Sequence, residues 1–378
     1  MYFAVVETKV IKLDVNHIDA SVIKEAAGVI DAGGLVAFPT ETVYGIACRV
    51  SNDSLAKLGN VKCRPADKYY TLHVANPSDV MRYVPTIGLR AKKLIKNAWP
   101  GPLTMVFGLD EKDIAGQKDK LSPEVFSNLY RGGSIGIRCP DNPIASMLLS
   151  QTISPVVAPS ANVSGQPPAV EAEAIVEQFS GQFDIILNGG RCKYAKNSTV
   201  ACISKKGLEI LREGVYSKSQ LLDMAMVTVL FVCTGNSCRS PMAQGIFKKH
   251  LAEKLGCPVD RLVEMMYTIT SAGALGIVGS PASPEAIEAC AAKGVDISGH
   301  RSRALTTHLI DKSDIIFVMT RRHREDVLEM SPEAAGKCIL LEEGSDIPDP
   351  IGQSQLVYDR CAERIDKAII KRIDEMVL

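Results

Sequence analysis

At 378 residues the chain is too long for one core of ordinary size, so two or three domains are expected. Its 43 Lys and Arg balance 43 Asp and Glu, which gives no ground for nucleic-acid binding from charge alone. The apolar runs fall short of the ~18 residues a membrane span needs, and the first ten residues do not read as a signal peptide. Eleven scattered cysteines without C-x2-C spacing argue against a disulfide framework and a zinc site, and for reduced thiols in a cytoplasm.

In chain order, strands are predicted at Gly34–Phe38, Leu103–Phe107, Ile135–Ile137, Pro155–Ala158 and Phe183–Leu187, with helices at Ser21–Ala32 and Ala91–Asn97. A turn at Leu211–Gly214 and a short polar, Met-rich stretch then break the pattern. Domains are therefore expected over 1–217 and 227–378, with a linker over 218–226. Beyond the break, strands at Val229–Val232, Thr268–Ala272 and Ile315–Met319 alternate with helices at Met242–Leu255, Pro284–Lys293 and Val357–Met376. Both parts read as α/β, the second as a doubly wound parallel sheet with its ligand loop after the first strand. Residues 1–220 hold 25 Lys and Arg against 21 Asp and Glu, and residues 221–378 hold 18 against 22, so the first part suits an anionic ligand slightly better.

The first part carries Phe38-Pro-Thr-Glu-Thr-Val-Tyr-Gly45, Lys62-Cys-Arg-Pro65, Trp99-Pro-Gly-Pro-Leu-Thr104, Ile135-Gly-Ile-Arg-Cys-Pro140, Ala158-Pro-Ser-Ala-Asn-Val-Ser-Gly165, Asn197-Ser-Thr-Val200 and Leu211-Arg-Glu-Gly214. Each sets hydroxyl, Lys or Arg groups at a strand end or a Gly/Pro-rich turn, where they can converge on a polyanion. In this order they resemble the YrdC-type L-threonylcarbamoyl-AMP synthases over about residues 15–215. The resemblance implies a twisted α/β sheet with a basic groove that makes threonylcarbamoyl adenylate from threonine, bicarbonate and ATP, for the N6 modification of adenosine 37 in tRNA. It implies threonine-binding roles for Thr40, His73, Arg138, Ser198 and Thr199, and ATP-binding roles for Lys62, Arg64, Lys68, Ser160, Asn162 and Arg212. ATP is then a substrate, Mg2+ is expected with it, and tRNA or the transfer machinery is the expected partner. One departure stands out: Tyr69-Tyr70 replaces the family's Pro-Leu after K-x-R-P. The alternative is a regulatory nucleotide- or RNA-binding module, against which the joint retention of Lys62, Arg64, Ser160 and Arg212 argues.

The second part opens on Val229-Leu-Phe-Val-Cys-Thr-Gly-Asn-Ser-Cys-Arg-Ser-Pro-Met242, a strand, a tight loop and a Pro-initiated helix. Loop N–H groups and the helix dipole then point at one spot, making an anion cradle of Thr234, Gly235, Asn236, Ser237 and Cys238. Cys233 at its mouth is expected to be a low-pKa thiolate, with Arg239 clamping two phosphate oxygens and Ser240 bonding the sulfur. Asp349, in the acidic loop Asp346–Pro350, is the candidate acid for the leaving group and base toward water. With Ser271-Ala-Gly273 and His300-Arg-Ser-Arg303, these segments resemble the low-molecular-weight protein tyrosine phosphatases over about residues 226–378. The resemblance implies Cys233 as nucleophile, Arg239 as clamp, Asp349 as general acid, Asn236 as shaper of the loop, and no cofactor. Ser237 and Ile351 replace the bulky and aromatic residues of phosphotyrosine-selective relatives, so phosphotyrosine and phosphoarginine proteins stand as equal substrates. Cys238 is a candidate partner for an oxidised Cys233.

Overall fold

The computed structural model describes residues 7–65, 69–179, 181–204 and 207–376. The chain divides into two compact units with their border after Met224, apart from two short pieces that group with the second. Both units are α/β, as the alternation of elements implies.

In the first unit, β1 (Lys9–Lys12), β2 (Val36–Phe38), β3 (Gly45–Arg49), β4 (Leu72–His73), β5 (Leu103–Gly108), β6 (Ser134–Arg138), β7 (Val156–Val157), β8 (Ile185–Asn188), β9 (Thr199–Ser204) and β10 (Gly207–Arg212) share one mixed sheet. Their order is β1-β8-β2-β3-β7-β4-β6-β5-β9-β10. Helix Ala20–Asp31 starts where the Asp19 carboxylate accepts the Ser21 N–H at 2.8 Å, a side-chain N-cap. It buries Ile23, Ala26, Ala27 and Ile30, an i, i+3, i+4, i+7 stripe that packs with Ile144 and Leu148 of helix Pro143–Gln151. Register then does the positioning: Arg138 on β6 lies opposite His73 on β4 and Thr104 on β5. Residues 34 and 65 positions apart in sequence thus reach one level of three adjacent strands.

In the second unit, β11 (Val227–Cys233), β12 (Tyr267–Gly273), β13 (Ile315–Val318) and β14 (Cys338–Leu340) are all parallel, in the order β12-β11-β13-β14. The continuous apolar run of β11 follows from burial on both faces. Val229 and Phe231 join one core with helices Arg239–Leu255 and Gln355–Glu375, while Leu230 and Val232 join another with Ile310 and Val327. Phe231 anchors the first, its ring centroid 5.4 Å from Phe247 and 5.5 Å from Phe317. The strand order reverses at β11, so Cys233 ends its strand at the switch point where such sheets open a ligand crevice.

The stretch read as a polar linker is instead helical over Lys218–Ala225. Leu221 is buried, and Asn97 Nδ2 donates to Met224 O at 2.7 Å, so these residues belong to the fold of the first unit. Among the described residues no helix is long and apolar enough to cross a membrane.

Candidate functional site

Each unit gathers its own constellation. In the first, Arg138 is buried at the C-terminal end of β6. Its Nη2 donates to Glu41 Oε1 at 2.8 Å, Thr42 Oγ1 at 2.6 Å and Thr40 Oγ1 at 3.3 Å. Glu41 is itself buried and its second oxygen accepts the Asp141 N–H at 3.0 Å. Arg138 lines the cavity, and its Nε is buried without a hydrogen-bond partner. Beside it His73 Nδ1 lies 3.1 Å from Thr71 O. A carbonyl only accepts, so the proton sits on Nδ1 and Nε2 is a bare acceptor. Burial, and then the Arg138 charge, push the His73 imidazole down to about 3, so it is neutral.

On the same cavity wall Ser198 Oγ is 3.1 Å from Thr104 Oγ1, and Arg212 Nη2 donates to Ser198 O at 2.9 Å and Oγ at 3.0 Å. Arg64 and Ser160 complete the lining. Arg64 follows Cys63, a left-handed helix cap at φ 48°, and its guanidinium lies 4.7 Å from the Tyr70 ring centroid. The pocket therefore collects Thr40, Arg64, His73, Arg138, Ser160, Ser198 and Arg212 of the expected set.

Three expectations are corrected here, and a fourth lies outside the described residues. Lys62 is buried behind the wall: its Nζ donates to Ser160 O, and to Asn162 O at 2.5 Å, so it holds the loop rather than lining the cavity. Asn162 turns inward too, its Nδ2 donating to Val163 O at 2.9 Å and Gln166 O at 2.6 Å and its Oδ1 accepting from Ser160 Oγ at 2.6 Å. Thr199 neighbours Ser198 but points the other way, its Oγ1 donating to Tyr216 O and accepting the Tyr216 N–H, both at 2.9 Å. Strand alternation sends successive side chains to opposite faces, so only Ser198 reaches the cavity. Lys68 falls outside the described residues. Glu41 and Thr104 carry no role in the linear order; what marks them is their meeting with Arg138, Glu41 by its hydrogen bond and Thr104 by strand register.

In the second unit the loop after β11 closes on itself. Asn236 takes φ 56°, its N–H donates to Cys233 Sγ at 3.3 Å, and its Nδ2 donates to Ser240 Oγ at 2.8 Å and Ser271 Oγ at 2.9 Å. From outside, His300 Nε2 lies 2.8 Å from Asn236 O, and Arg303 N–H donates to Asn236 Oδ1 at 2.9 Å. Cys233 Sγ is 3.0 Å from Ser240 Oγ. Gly273 lies so close that an added Cβ would sit 2.9 Å from Thr234 O and Gly235 C.

Arg239 Nη1 donates to Ile347 O at 3.1 Å, and Nη2 donates to Thr234 Oγ1 at 3.0 Å and to Asp349 Oδ2. Cys233, Arg239 and Asp349, the expected nucleophile, clamp and acid, are thus gathered around one loop. The expected low-pKa thiolate is not found: burial pushes the Cys233 thiol up, outweighing the Ser240 hydrogen bonds, the Arg239 charge and the Asn236 N–H. Cys233 is only 2% exposed, and burial of the charged form explains the reversal. Cys238 Sγ contacts Tyr358 OH at 3.3 Å and Ser283 Oγ at 3.5 Å. Ser237 Oγ lies 3.6 Å from that sulfur. His323, which sequence reasoning missed, has Nε2 2.9 Å from Thr234 Oγ1. Its first-turn position in the helix after β13, at the crevice end of the sheet, was the available signal.

Among the described residues no group of three or more His, Cys, Asp or Glu gathers as a metal site. Glu41, the acidic side chain beside Arg138, is already engaged by Arg138 and the Asp141 N–H.

The Sua5/YciO/YrdC family model, described as telomere recombination, matches residues 28–214. The low molecular weight phosphotyrosine protein phosphatase model matches residues 228–376. A threonylcarbamoyl-AMP synthase of Bacillus subtilis is 33% identical over 233 residues, 61% of this chain and 64% of that protein, so less than two thirds of its length is spanned. The threonylcarbamoyl-AMP synthase of Cellvibrio japonicus is 30% identical over 43% of this chain and 82% of its own. A solved low molecular weight protein tyrosine phosphatase from T. tengcongensis is 36% identical, covering 40% of this chain and 99% of that one with a TM-score of 0.36.

Proposed function

Since this chain belongs to the Sua5/YciO/YrdC family through residues 28–214 and to the low molecular weight phosphotyrosine protein phosphatase family through residues 228–376, we propose that it is a bifunctional cytoplasmic enzyme. The first unit makes L-threonylcarbamoyladenylate for tRNA modification, and the second removes phosphoryl groups from proteins. What carries the first reading is the convergence of His73, Arg138, Ser198 and Arg212 on one polar pocket. What carries the second is Cys233, Arg239 and Asp349 around one anion cradle.

In the synthase reading, the Arg138 guanidinium takes the threonine carboxylate and the bare Nε2 of His73 accepts a hydrogen bond from the amino acid. The threonine amine combines with bicarbonate, losing water, to give a carbamate. A carbamate oxygen attacks the α-phosphorus of ATP, the bond to the bridging oxygen breaks, and pyrophosphate leaves. Arg64 and Arg212 offset charge on the phosphates, and Ser198 donates to them. Lys62 supports this by fixing the Ser160–Asn162 loop. Mg2+ would enter as part of the nucleotide substrate.

In the phosphatase reading, a phosphate dianion displaces Asp349 from Arg239 and occupies the cradle. Cys233 attacks phosphorus, Asp349 protonates the leaving atom, and the cysteinyl phosphate is hydrolysed by water that gives its proton to Asp349. Ser240 and the Asn236 N–H stabilise the thiolate in each step. The rim favours phosphoarginine over phosphotyrosine: Leu275, Ile277, Val278 and Ile351 are exposed aliphatic side chains, suited to an alkyl stem rather than to stacking on a phenol.

Two assays on the intact chain test the proposal. Pyrophosphate release should require threonine and bicarbonate together, and Cys233→Ser should abolish p-nitrophenyl phosphate hydrolysis while leaving that release unchanged. Release independent of threonine would overturn the synthase reading. Hydrolysis near wild type in Cys233→Ser would overturn the phosphatase one.

A further inference from the structure

The phosphate clamp Arg239 has three partners within the protein, and one of them cannot stay. Asp349 must leave Arg239 to meet the leaving group, so during turnover the guanidinium is held by Ile347 O and by the Thr234 hydroxyl. Thr234 is the residue after the nucleophile, and its Oγ1 has one lone pair committed to Arg239 Nη2. On its far side lies His323 Nε2, at 2.9 Å.

The imidazole is fixed in turn. It is buried, its Nδ1 lies 3.0 Å from Thr320 Oγ1, and Thr320 Oγ1 also accepts the His323 N–H at 3.3 Å as the N-cap of helix Arg321–Met330. A chain of hydrogen bonds therefore runs from a helix terminus through His323 and Thr234 to Arg239. The charged groups that face the ring are Arg239, Asp326, Asp349 and Asp346. With burial, and then the Arg239 charge, pushing it down to about 4, the ring is neutral and can sit behind the clamp without repelling it.

We infer that His323 is a positioning residue for the phosphate clamp, holding Arg239 through the Thr234 hydroxyl while Asp349 is engaged elsewhere. This rests on the phosphatase reading above. It assigns His323 no proton transfer and no contact with substrate.

The test is a double-mutant cycle on the full chain, read as the inhibition constant of inorganic phosphate and as KM and kcat for p-nitrophenyl phosphate. His323→Ala and Thr234→Val should each weaken phosphate inhibition about tenfold, the scale of a hydrogen bond to a charged group. Because the two act in series, the double variant should be no weaker than about threefold beyond either single one. His323→Gln and Thr234→Ser, which keep a polar atom in reach, should recover most of the loss. Independent effects that multiply to about a hundredfold, unaltered phosphate inhibition, or failure of both conservative variants to rescue would each overturn the inference. A wild-type chain that hydrolyses no p-nitrophenyl phosphate would overturn the phosphatase reading itself, which separates the two failures.

Discussion

Arg138 meets a carboxylate before any substrate arrives. Its partner Glu41 is buried beside it, so the pair is an internal ion pair with one guanidinium edge left over. Removing one member of such a pair strands the other charge, at a cost of about 3 kcal/mol or more. Glu41→Gln should therefore lower the melting temperature of the first unit, and threonine should restore more of that loss than it adds to wild type, because its carboxylate supplies the missing countercharge. Equal threonine-induced shifts in melting temperature would contradict this. His73 makes a pH prediction with a definite sign. Its folded-state value is about 3 against about 6.5 when unfolded, so between those values the unfolded chain binds the extra proton. Stability is full above pH 6.5 and falls on acidification, by about 2 kcal/mol at pH 5 from this residue alone. His73→Gln should flatten that slope in urea titrations at pH 7 and pH 5. A wild-type slope retained in the variant would place the lost stability elsewhere.

Elements with a strong periodic signal were legible in the sequence. The run Val229–Val232 lies within β11, Thr268–Ala272 within β12, and Leu103–Phe107 within β5. Short or polar elements were not: β4 is two residues long, and helix Glu111–Lys120 buries only Gln117 and shows no apolar stripe. The phosphatase cradle was legible almost whole because it is local, one strand, loop and helix start. The synthase pocket was legible as a set of motifs but not as a geometry, since Thr104, His73 and Arg138 meet only through β5, β6 and β4. That is why Lys62, Asn162 and Thr199 were placed on the pocket when they stand behind or away from it. Neighbouring elements also constrain the cradle. Gly273 ends β12 within van der Waals distance of the Thr234–Asn236 backbone, so Gly273→Ala should cut p-nitrophenyl phosphate turnover at least tenfold with pyrophosphate release intact. Unchanged turnover would show that the loop yields at no cost. Gly214 stands the same way against Ser198 and Thr199, where an added Cβ would come within 2.3 Å of backbone.

At the scale of the molecule, the two chemistries share no residue, and truncation should separate them at one place only. A chain ending at Met224 should keep threonine-dependent pyrophosphate release. One ending at Ser217 should be less stable by about 2 kcal/mol, since it loses buried Leu221 and the cap on Asn97 Nδ2. Equal melting temperatures for the two truncations would show that helix Lys218–Ala225 is dispensable. Between that helix and β11 the chain has a single residue, Met226. A protease needs several consecutive residues of extended, accessible chain, and this junction has no such stretch. Copy number follows from that: each first unit is translated, turned over and diluted together with one second unit, at a fixed ratio of one to one. On the proposed functions, whatever sets the cellular supply of modified-tRNA precursor sets the capacity for protein dephosphorylation in the same stroke.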